Sequence, residues 1–502
     1  MTQLEFGFKN FRKYTSLNIK LGNTTYLVGE NNSGKSTFVK GILLLLNNIN
    51  IDIRNFNTAV PSFDFNDRNN ISYNHINVPT FESALNKFSE SKEISFCCRV
   101  SNITSDNYCD YTIEYCLGAF DRTDIKEGKI KLITIVDNLR GLVFSFDFEN
   151  HITIVKQNEI DDPHIHNLHC LLLETELQLG LYESKGEIYN KLQIKKSIIQ
   201  ALVAQFKTKK LPEQTITVPM TFSKDAQGSI PSVMIHSLLS NEDVRKEIGR
   251  IYPPHKIKEQ SNWINKCIED ISNFEYIYAK AADQRLLYLY QDRNDYMAEV
   301  VSEFNKNTAK NNNCLNLAKR WLEYFNIDPY IHTESIDGEA FRVYLSKTEP
   351  IHENRESMRP LASYGTGVIQ LVTLIMNLVN LVCKYENKNV SPTIIIEEPE
   401  QNLHPKLQSR LDDTFQELSE RYGFKFIIET HSEYIIRKTQ VAVKQARYQS
   451  KEEMNALNPY KVLYFPQDGD PYEMQYRTDG RFSNSFGPGF YDEANSLIFE
   501  VL

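Results

Sequence analysis

Val28-Gly29-Glu30-Asn31-Asn32-Ser33-Gly34-Lys35-Ser36-Thr37 decides the reading of this chain. The stretch fits G-x-x-x-x-G-K-[ST], the loop that cradles phosphate, at every fixed position. Thr24 to Val28 just before it is a short β-branched and aromatic run, which predicts a buried strand. Thr37 to Leu46 just after it is apolar for long enough to make a helix. Strand, glycine loop and helix N-terminus are the context the motif needs. Glycines let backbone N–H groups wrap the phosphates, and the helix end adds partial positive charge. Gly29, Asn31, Asn32, Ser33, Gly34, Lys35, Ser36 and Thr37 are therefore the expected nucleotide-binding residues. Lys35 is expected on the β- and γ-phosphates, and the Ser36 hydroxyl on Mg²⁺.

A second chemical cluster lies far downstream. Pro392 to Ile396 predicts a buried strand that ends in Glu397 and Glu398. A hydrophobic strand ending in two acids has a mechanical meaning in a nucleotide-hydrolysing enzyme. The first acid, Glu397, supports the metal shell, and the second, Glu398, polarises the attacking water. Pro399 to Pro405 leads into a helix with Leu407, Leu411, Phe415 and Leu418 on one face. Phe426 to Glu429 is another buried strand, ending in Thr430-His431-Ser432. His431 repeats the strand-end placement of the two acids and is expected to reach the γ-phosphate.

Composition bounds the rest. The chain has 502 residues, 24% charged and 41% hydrophobic, which reads as globular. Its 56 basic and 65 acidic residues give a net charge of −9, so no global basic field draws it to nucleic acid. The eight cysteines form no C-x-x-C pair, and Met1 to Phe6 already looks like folded protein. Free thiols in a reducing cytoplasm are expected. The longest apolar stretch, Val368 to Cys383, is broken by Gln370, Thr373, Asn377 and Asn380 and reads as a buried helix with no membrane role.

Along the chain, Leu4 to Phe11 and Leu17 to Leu21 read as strands that form one sheet unit with the phosphate loop. The basic turn Asn10-Phe11-Arg12-Lys13 has two readings, with Arg12 near a nucleotide or simply solvated. Residues 48–90 look like a long irregular connection, and residues 92–157 like an antiparallel meander. His164, His166, His169 and Cys170 could bind zinc, but no second ligand pair accompanies them and a polar loop is the stronger reading. Ile188 to Phe206 predicts a helix with Ile194, Ile198, Ile199 and Leu202 on one face. Lys191, Lys195 and Lys196 lie nearby, better read as a solvated face than as a nucleic-acid patch. Ser261 to Asn273 predicts a second amphipathic helix, and Asp468-Gly469-Asp470 a turn.

With these residues in hand, the sequence resembles the ABC-type ATPases of the SMC, RecF and overcoming-lysogenisation-defect group. The likeness rests on Phe8 to Arg12, Gly29 to Thr37, Ile396-Glu397-Glu398-Pro399-Glu400 with Leu403-His404-Pro405, and Thr430-His431-Ser432. It covers the two ends of the chain. It implies a signature loop before the acidic strand, and Leu361 to Gly367 fits that place, with Ser363, Gly365 and Gly367 facing a nucleotide held by a second copy. It also implies ATP and Mg²⁺ sandwiched in a homodimer or higher homo-oligomer. The transporter sequence L-S-G-G-Q is missing, Glu397 replaces the usual Asp, and no Q-loop glutamine stands out. The segment after His431 is too short for the Toprim nuclease of the lysogenisation-defect enzymes. It is similar instead to the end of ATPase subunits from two-component antiphage systems, whose separate effector is an HNH or Toprim nuclease.

The expected fold is therefore α/β, an ABC-type P-loop ATPase head of mixed sheet flanked by helices, with a β-rich and helical insertion. The expected parts are 1–50 and 276–447 for the head, 51–160 for a β-rich lobe, 161–275 for a helical insertion and 448–502 for a short terminal segment. The expected role is ATP-gated control of an effector in antiviral defence. The alternative is a DNA repair or chromosome-maintenance ATPase that binds nucleic acid itself. A transporter motor fits poorly, and a non-hydrolysing scaffold would not need Glu398.

Overall fold

The computed structural model describes residues 2–49, 63–65, 78, 80–103, 108–118, 128–138, 141–157, 160–161, 187–206, 210–211, 214–220, 230–240, 242, 246, 266–269, 271–277, 287–289, 296–349, 358–388 and 390–487. They divide into two compact units, Met1–Leu21 with Thr37–Ser272, and Gly22–Ser36 with Asn273–Leu502. The chain begins β1 (Thr2–Phe11), β2 (Tyr14–Lys20), β3 (Thr24–Gly29), α1 (Lys35–Ile49), α2 (Phe81–Ala84), β4 (Ile94–Ile103), β5 (Tyr108–Gly118), β6 (Lys129–Asp137), β7 (Leu142–Asp147) and β8 (Ile152–Gln157). Next come β9 (Ile160–Asp161), α3 (Glu187–Phe206), β10 (Lys210–Leu211), β11 (Gln214–Pro219), α4 (Ile230–Ser240), β12 (Phe274–Ile277), β13 (Tyr288–Leu289), α5 (Tyr296–Lys310) and α6 (Asn312–Tyr324). The last part holds β14 (Tyr330–Ile336), β15 (Ala340–Ser346), β16 (Arg359–Pro360), α7 (Thr366–Tyr385), β17 (Thr393–Glu397), α8 (Pro405–Tyr422), β18 (Lys425–Glu429), α9 (Glu433–Ala446), α10 (Lys451–Leu457), β19 (Tyr460–Phe465) and β20 (Tyr472–Glu473).

The first unit is an antiparallel sheet in the order β11-β8-β7-β6-β5-β4-β1-β2. Its strands alternate as a half-buried sheet must: Leu142, Phe144 and Phe146 of β7 face in, and the residues between them are half-exposed. An aromatic cluster fills the inside, with the Phe8 ring 5.6–5.7 Å from those of Phe11, Phe38 and Phe96. Here the structure corrects the sequence reading. β1 and β2 do not share a sheet with the strand of the phosphate loop; β1 pairs with β4 from Thr2↔Asn102 to Lys9↔Ser95. The cause is matched alternation, because Leu4, Phe6 and Phe8 bury on the same face as Val100, Cys98 and Phe96 opposite them. The predicted helix at 188–206 is present as α3; among the described side chains of its apolar face Ile199 is buried, while Ile194 and Ile198 are exposed. The His164–Cys170 cluster, Lys207, Lys209 and the terminal residues 488–502 lie outside the described residues.

The second unit is built on a sheet ordered β12-β17-β18-β3-β19-β20. All neighbours from β12 to β19 run parallel, and only β20 is antiparallel. Parallel strands are covered on both faces, so they read as unbroken apolar runs. Thr24–Gly29 is buried at all six positions. β19 is the direct neighbour of β3, pairing from Tyr460↔Thr24 to Phe465↔Gly29. α7 is long and apolar enough to cross a bilayer, yet its residues from Ile369 to Tyr385 largely bury in this core with α5 and α6. α8 starts on Pro405 and ends at Gly423, which takes the left-handed φ of 68° that a helix stop favours.

The free-thiol expectation fails at one pair. Cys314 of α6 and Cys383 of α7 are disulfide-bonded, because packing of the two helices sets their Cα atoms 6.7 Å apart. Cys97, Cys98 and Cys116 are free thiols.

α8 is tied to the sheet by a fully buried carboxyl. Asp412 accepts from the Tyr26 hydroxyl of β3 and lies 3.1 Å from the Tyr460 hydroxyl of β19. Burial outweighs these hydrogen bonds and pushes Asp412 up to about 7. Its folded value lies above its unfolded one, near 4. The stability it contributes is therefore fully present below about pH 4 and is lost as pH rises through about 7. Urea denaturation from pH 5 to 8 should show the wild type losing ground to Asp412→Asn by up to about 1.4 kcal/mol per pH unit. A difference independent of pH would mean that Asp412 is ionised throughout.

Candidate active site

In the second unit the ends of β3, β17 and β18 stand at one level, with Glu397 opposite Glu429 and Glu429 opposite Leu27. Ligands of open α/β sheets bind outside such carboxyl ends. The phosphate loop leaves β3 at Gly29, whose φ is 143°. A Cβ there would lie 2.2 Å from the Phe465 carbonyl oxygen, so the loop can start only with glycine. Asn32 and Gly34 also take positive φ, at 61° and 107°. Asn31 and Asn32 are exposed, and Ser33 and Lys35 are buried. Lys35 and Ser36 open α1, followed by Thr37.

The Lys35 ammonium donates to the carbonyls of Gly29 at 3.0 Å and Glu30 at 2.8 Å. Burial lowers its pKa, and Glu429, Glu398, Glu30 and Glu400 pull the other way. The Ser36 hydroxyl donates to Glu429 Oε1 at 2.9 Å. Glu429 is only 4% exposed, and its second oxygen has no partner among the described residues. Burial pushes its carboxyl up to about 7, opposed by the Ser36 hydrogen bond.

Glu398 leaves β17 with φ 41°, a left-handed conformation that costs a non-glycine residue about 1 kcal/mol or more. Its N–H donates to the Glu429 carbonyl at 2.7 Å, and Gln401 N–H donates to its carbonyl at 3.1 Å. These bonds hold the kink. The Gln401 amide also donates to Glu398 Oε2, and His431 Nε2 lies 3.7 Å from Glu398 Oε1. His431 has its pKa lowered by burial first and by Lys35 second, with Glu398 opposing. It is therefore largely neutral at pH 7.

Lys35, Ser36, Glu397, Glu398 and His431, chosen from the sequence, thus meet in one unit. Two partners were missed. Glu429 looked like the tail of a buried strand, and only its register beside Glu397 gives it a role. Glu400 stood in the motif run after the acidic strand with no role assigned. It is buried, and its Oε1 accepts from the His431 backbone N–H at 2.7 Å, tying the loop after β17 to the end of β18. Burial raises its pKa, opposed by that bond.

The signature-loop residues stand at the start of α7. Gly365 caps the helix with open space around its Cβ position, and the exposed Ser363 hydroxyl donates to the Pro360 carbonyl at 2.7 Å. Gly367 has another duty. A Cβ there would meet the Asn402 carbonyl oxygen at 2.2 Å, so α7 rests directly on the acid-bearing loop. Arg12 belongs to the first unit, where burial lowers its pKa and its backbone N–H donates to Ala84 at 2.7 Å.

The donor set fits a hard cation beside phosphate: a serine hydroxyl on a carboxylate, a buried carboxylate oxygen with no partner, and a lysine at a glycine loop. A P-loop nucleotide-binding site defines the class. The family follows from comparison: residues 5–436 match the AAA ATPase domain model, so the chain belongs to that AAA ATPase family. No curated protein matches it. Solved structures similar to it include an Smc head domain bound to the C-terminal domain of ScpA, from Pyrococcus furiosus. It is 11% identical with TM-score 0.33, and all of both chains is covered. The Smc head with coiled coil and joint from Pyrococcus yayanosii is 11% identical with TM-score 0.38, again covering all of both. The SMC head domain from Thermotoga maritima is 9% identical with TM-score 0.35, covering 95% of this chain and 100% of that one.

Glu400→Ala leaves the His431 N–H without its acceptor, and a loss of about 1–3 kcal/mol is expected in urea denaturation. Glu400→Gln keeps an acceptor oxygen and should lose less. Equal losses would show that charge, not the hydrogen bond, ties the two strand ends.

Proposed function

We propose that this AAA ATPase hydrolyses ATP with Glu398 as general base, and that its nucleotide state gates a separate effector. The observation that supports it is the convergence of Lys35, Ser36, Glu398, Glu429 and His431 around the phosphate loop. In this reading Lys35 leaves the Gly29 and Glu30 carbonyls for the β- and γ-phosphate oxygens. The loop amides and the α1 N-terminus hold the phosphates. Glu398 accepts a proton from the water that attacks the γ-phosphorus, the bond to the β-phosphate oxygen breaks, and ADP and phosphate leave. His431 hydrogen-bonds at the γ-phosphate. Mg²⁺, held by Ser36 with Glu397 or Glu429, would neutralise phosphate charge.

Gly365 and Ser363 are exposed at the N-terminus of α7, as a surface that meets a nucleotide in a second copy must be. In this reading two heads meet as a homodimer or higher homo-oligomer with ATP sandwiched between them. The effector, a nuclease, and the antiviral setting rest on the sequence resemblance alone. Direct nucleic-acid binding is the competing outcome.

Glu398→Gln is expected to lower turnover by about 10²–10⁴-fold while ATP stays bound. Mass measurement of wild type and variant with ATP and Mg²⁺, copurified with the neighbouring gene product, should show the variant locked as a dimer or larger assembly with altered partner content. If ATP and the substitution leave assembly and partner unchanged, gating is wrong. Salt-dependent DNA binding by the chain alone would then favour the repair reading.

A further inference from the structure

Glu398, Glu429 and His431 each offer a ligand atom, and these atoms lie within 4.8 Å of one another. Glu398 directly follows β17, Glu429 ends the neighbouring β18 and His431 lies two residues further on, so the parallel register of the two strands brings them together. The Glu398–His431 approach of 3.7 Å is too long for a hydrogen bond. Ligands about 2.1 Å from a shared ion stand up to about 4.2 Å apart, so a small inward turn of the exposed His431 and the half-exposed Glu398 closes the set.

Glu429 supplies an independent pointer. It is 4% exposed, one oxygen is committed to Ser36, and the other is buried with no partner among the described residues. A buried carboxylate oxygen without a partner carries a desolvation cost that a cation relieves. The nearest fixed cation, Lys35, is held by the carbonyls of Gly29 and Glu30. Glu397 stands opposite Glu429 on the adjacent strand and adds to the negative field.

We propose that Glu398, Glu429 and His431 form a seat for a first-row divalent cation that fills in the absence of nucleotide. Two carboxylates and one imidazole are a mixed oxygen and nitrogen set. That set suits Mn²⁺ or Zn²⁺ better than Mg²⁺, which keeps an all-oxygen shell. The seat goes beyond the ATP reading, because it uses the base and the γ-phosphate sensor as metal ligands when no phosphate is present.

The test titrates Mn²⁺ alone into the full chain without nucleotide and follows it by electron paramagnetic resonance. Wild type is expected to bind one Mn²⁺ whose pulsed spectrum carries ¹⁴N coupling from an imidazole. His431→Gln should lose that coupling. Glu429→Gln should weaken Mn²⁺ binding by about tenfold or more. Glu429→Asp keeps a carboxylate and should retain the coupling, which controls for folding, and thermal unfolding of each variant checks it directly. No Mn²⁺ bound without nucleotide, bound Mn²⁺ without nitrogen coupling, or wild-type affinity in Glu429→Gln would each overturn the seat. ATP turnover plays no part in this readout. Turnover with Mg²⁺ but no Mn²⁺ seat sinks the seat alone, and a Mn²⁺ seat in a chain that never turns over ATP sinks the hydrolytic reading alone.

Discussion

The parallel register of β17, β18 and β3 is the constraint on which the second unit depends. It brings Glu397 level with Glu429, and Glu429 level with Leu27 just before the phosphate loop. A slip of one residue in any of these strands would turn its end residue to the other face of the sheet. The register is secured by burial on both faces, where Ile394, Ile395, Ile396, Phe426, Ile427 and Ile428 are all at most 1% exposed. Asp412 adds a polar pin from α8 to β3 and β19, and Phe465 presses so close to Gly29 that no side chain fits there. Core packing and site geometry are thus the same set of contacts.

The same packing gathers like charges. Glu398, Glu400 and Glu429 lie around Lys35, and burial opposes the charged form of both Lys35 and Glu429. Each carboxylate answers this crowding differently. Glu400 takes the His431 N–H, Glu429 takes the Ser36 hydroxyl, and Glu398 takes the Gln401 amide. Backbone and amide donors supply only partial charge, so an excess of negative potential remains, of a kind that attracts cations. That excess is destabilising in the isolated fold and useful where a metal and a polyphosphate must be held together.

The elements that carry local signals were legible in the sequence. The phosphate loop, the acid-ended strand, the strand ending in His431, the antiparallel meander and the buried helix α7 all stand where their patterns placed them. What failed was long-range pairing. Nothing local to Leu4–Phe11 says that its partner is β4, and nothing local to Tyr460–Phe465 says that it lies beside β3. Pairing partners are chosen by complementary faces far apart in sequence, which a single chain read in order does not expose. The roles of Glu429 and Glu400 were hidden for the same reason, since each acts through a residue on a neighbouring strand or loop. The Cys314–Cys383 bond depends on how α6 meets α7, and cysteine spacing alone is silent about that.

A short chain of contacts links the exposed start of α7 to Glu398. Gly367 lies against the Asn402 carbonyl, and the Asn402 amide donates to Gln370 one turn along α7 at 3.3 Å. Gln401, the neighbour of Asn402, holds the Glu398 carboxylate, and the kinked Glu398 backbone is bonded to Glu429. The helix end that would face a second copy and the carboxylate that would take the water proton are therefore two ends of one close-packed segment. Packing this tight does not deform gradually, so a shift at Gly367 bears directly on the loop that carries Glu398. Glu398 and α7 need no separate relay between them, because the loop that carries Glu398 is also the floor on which α7 rests.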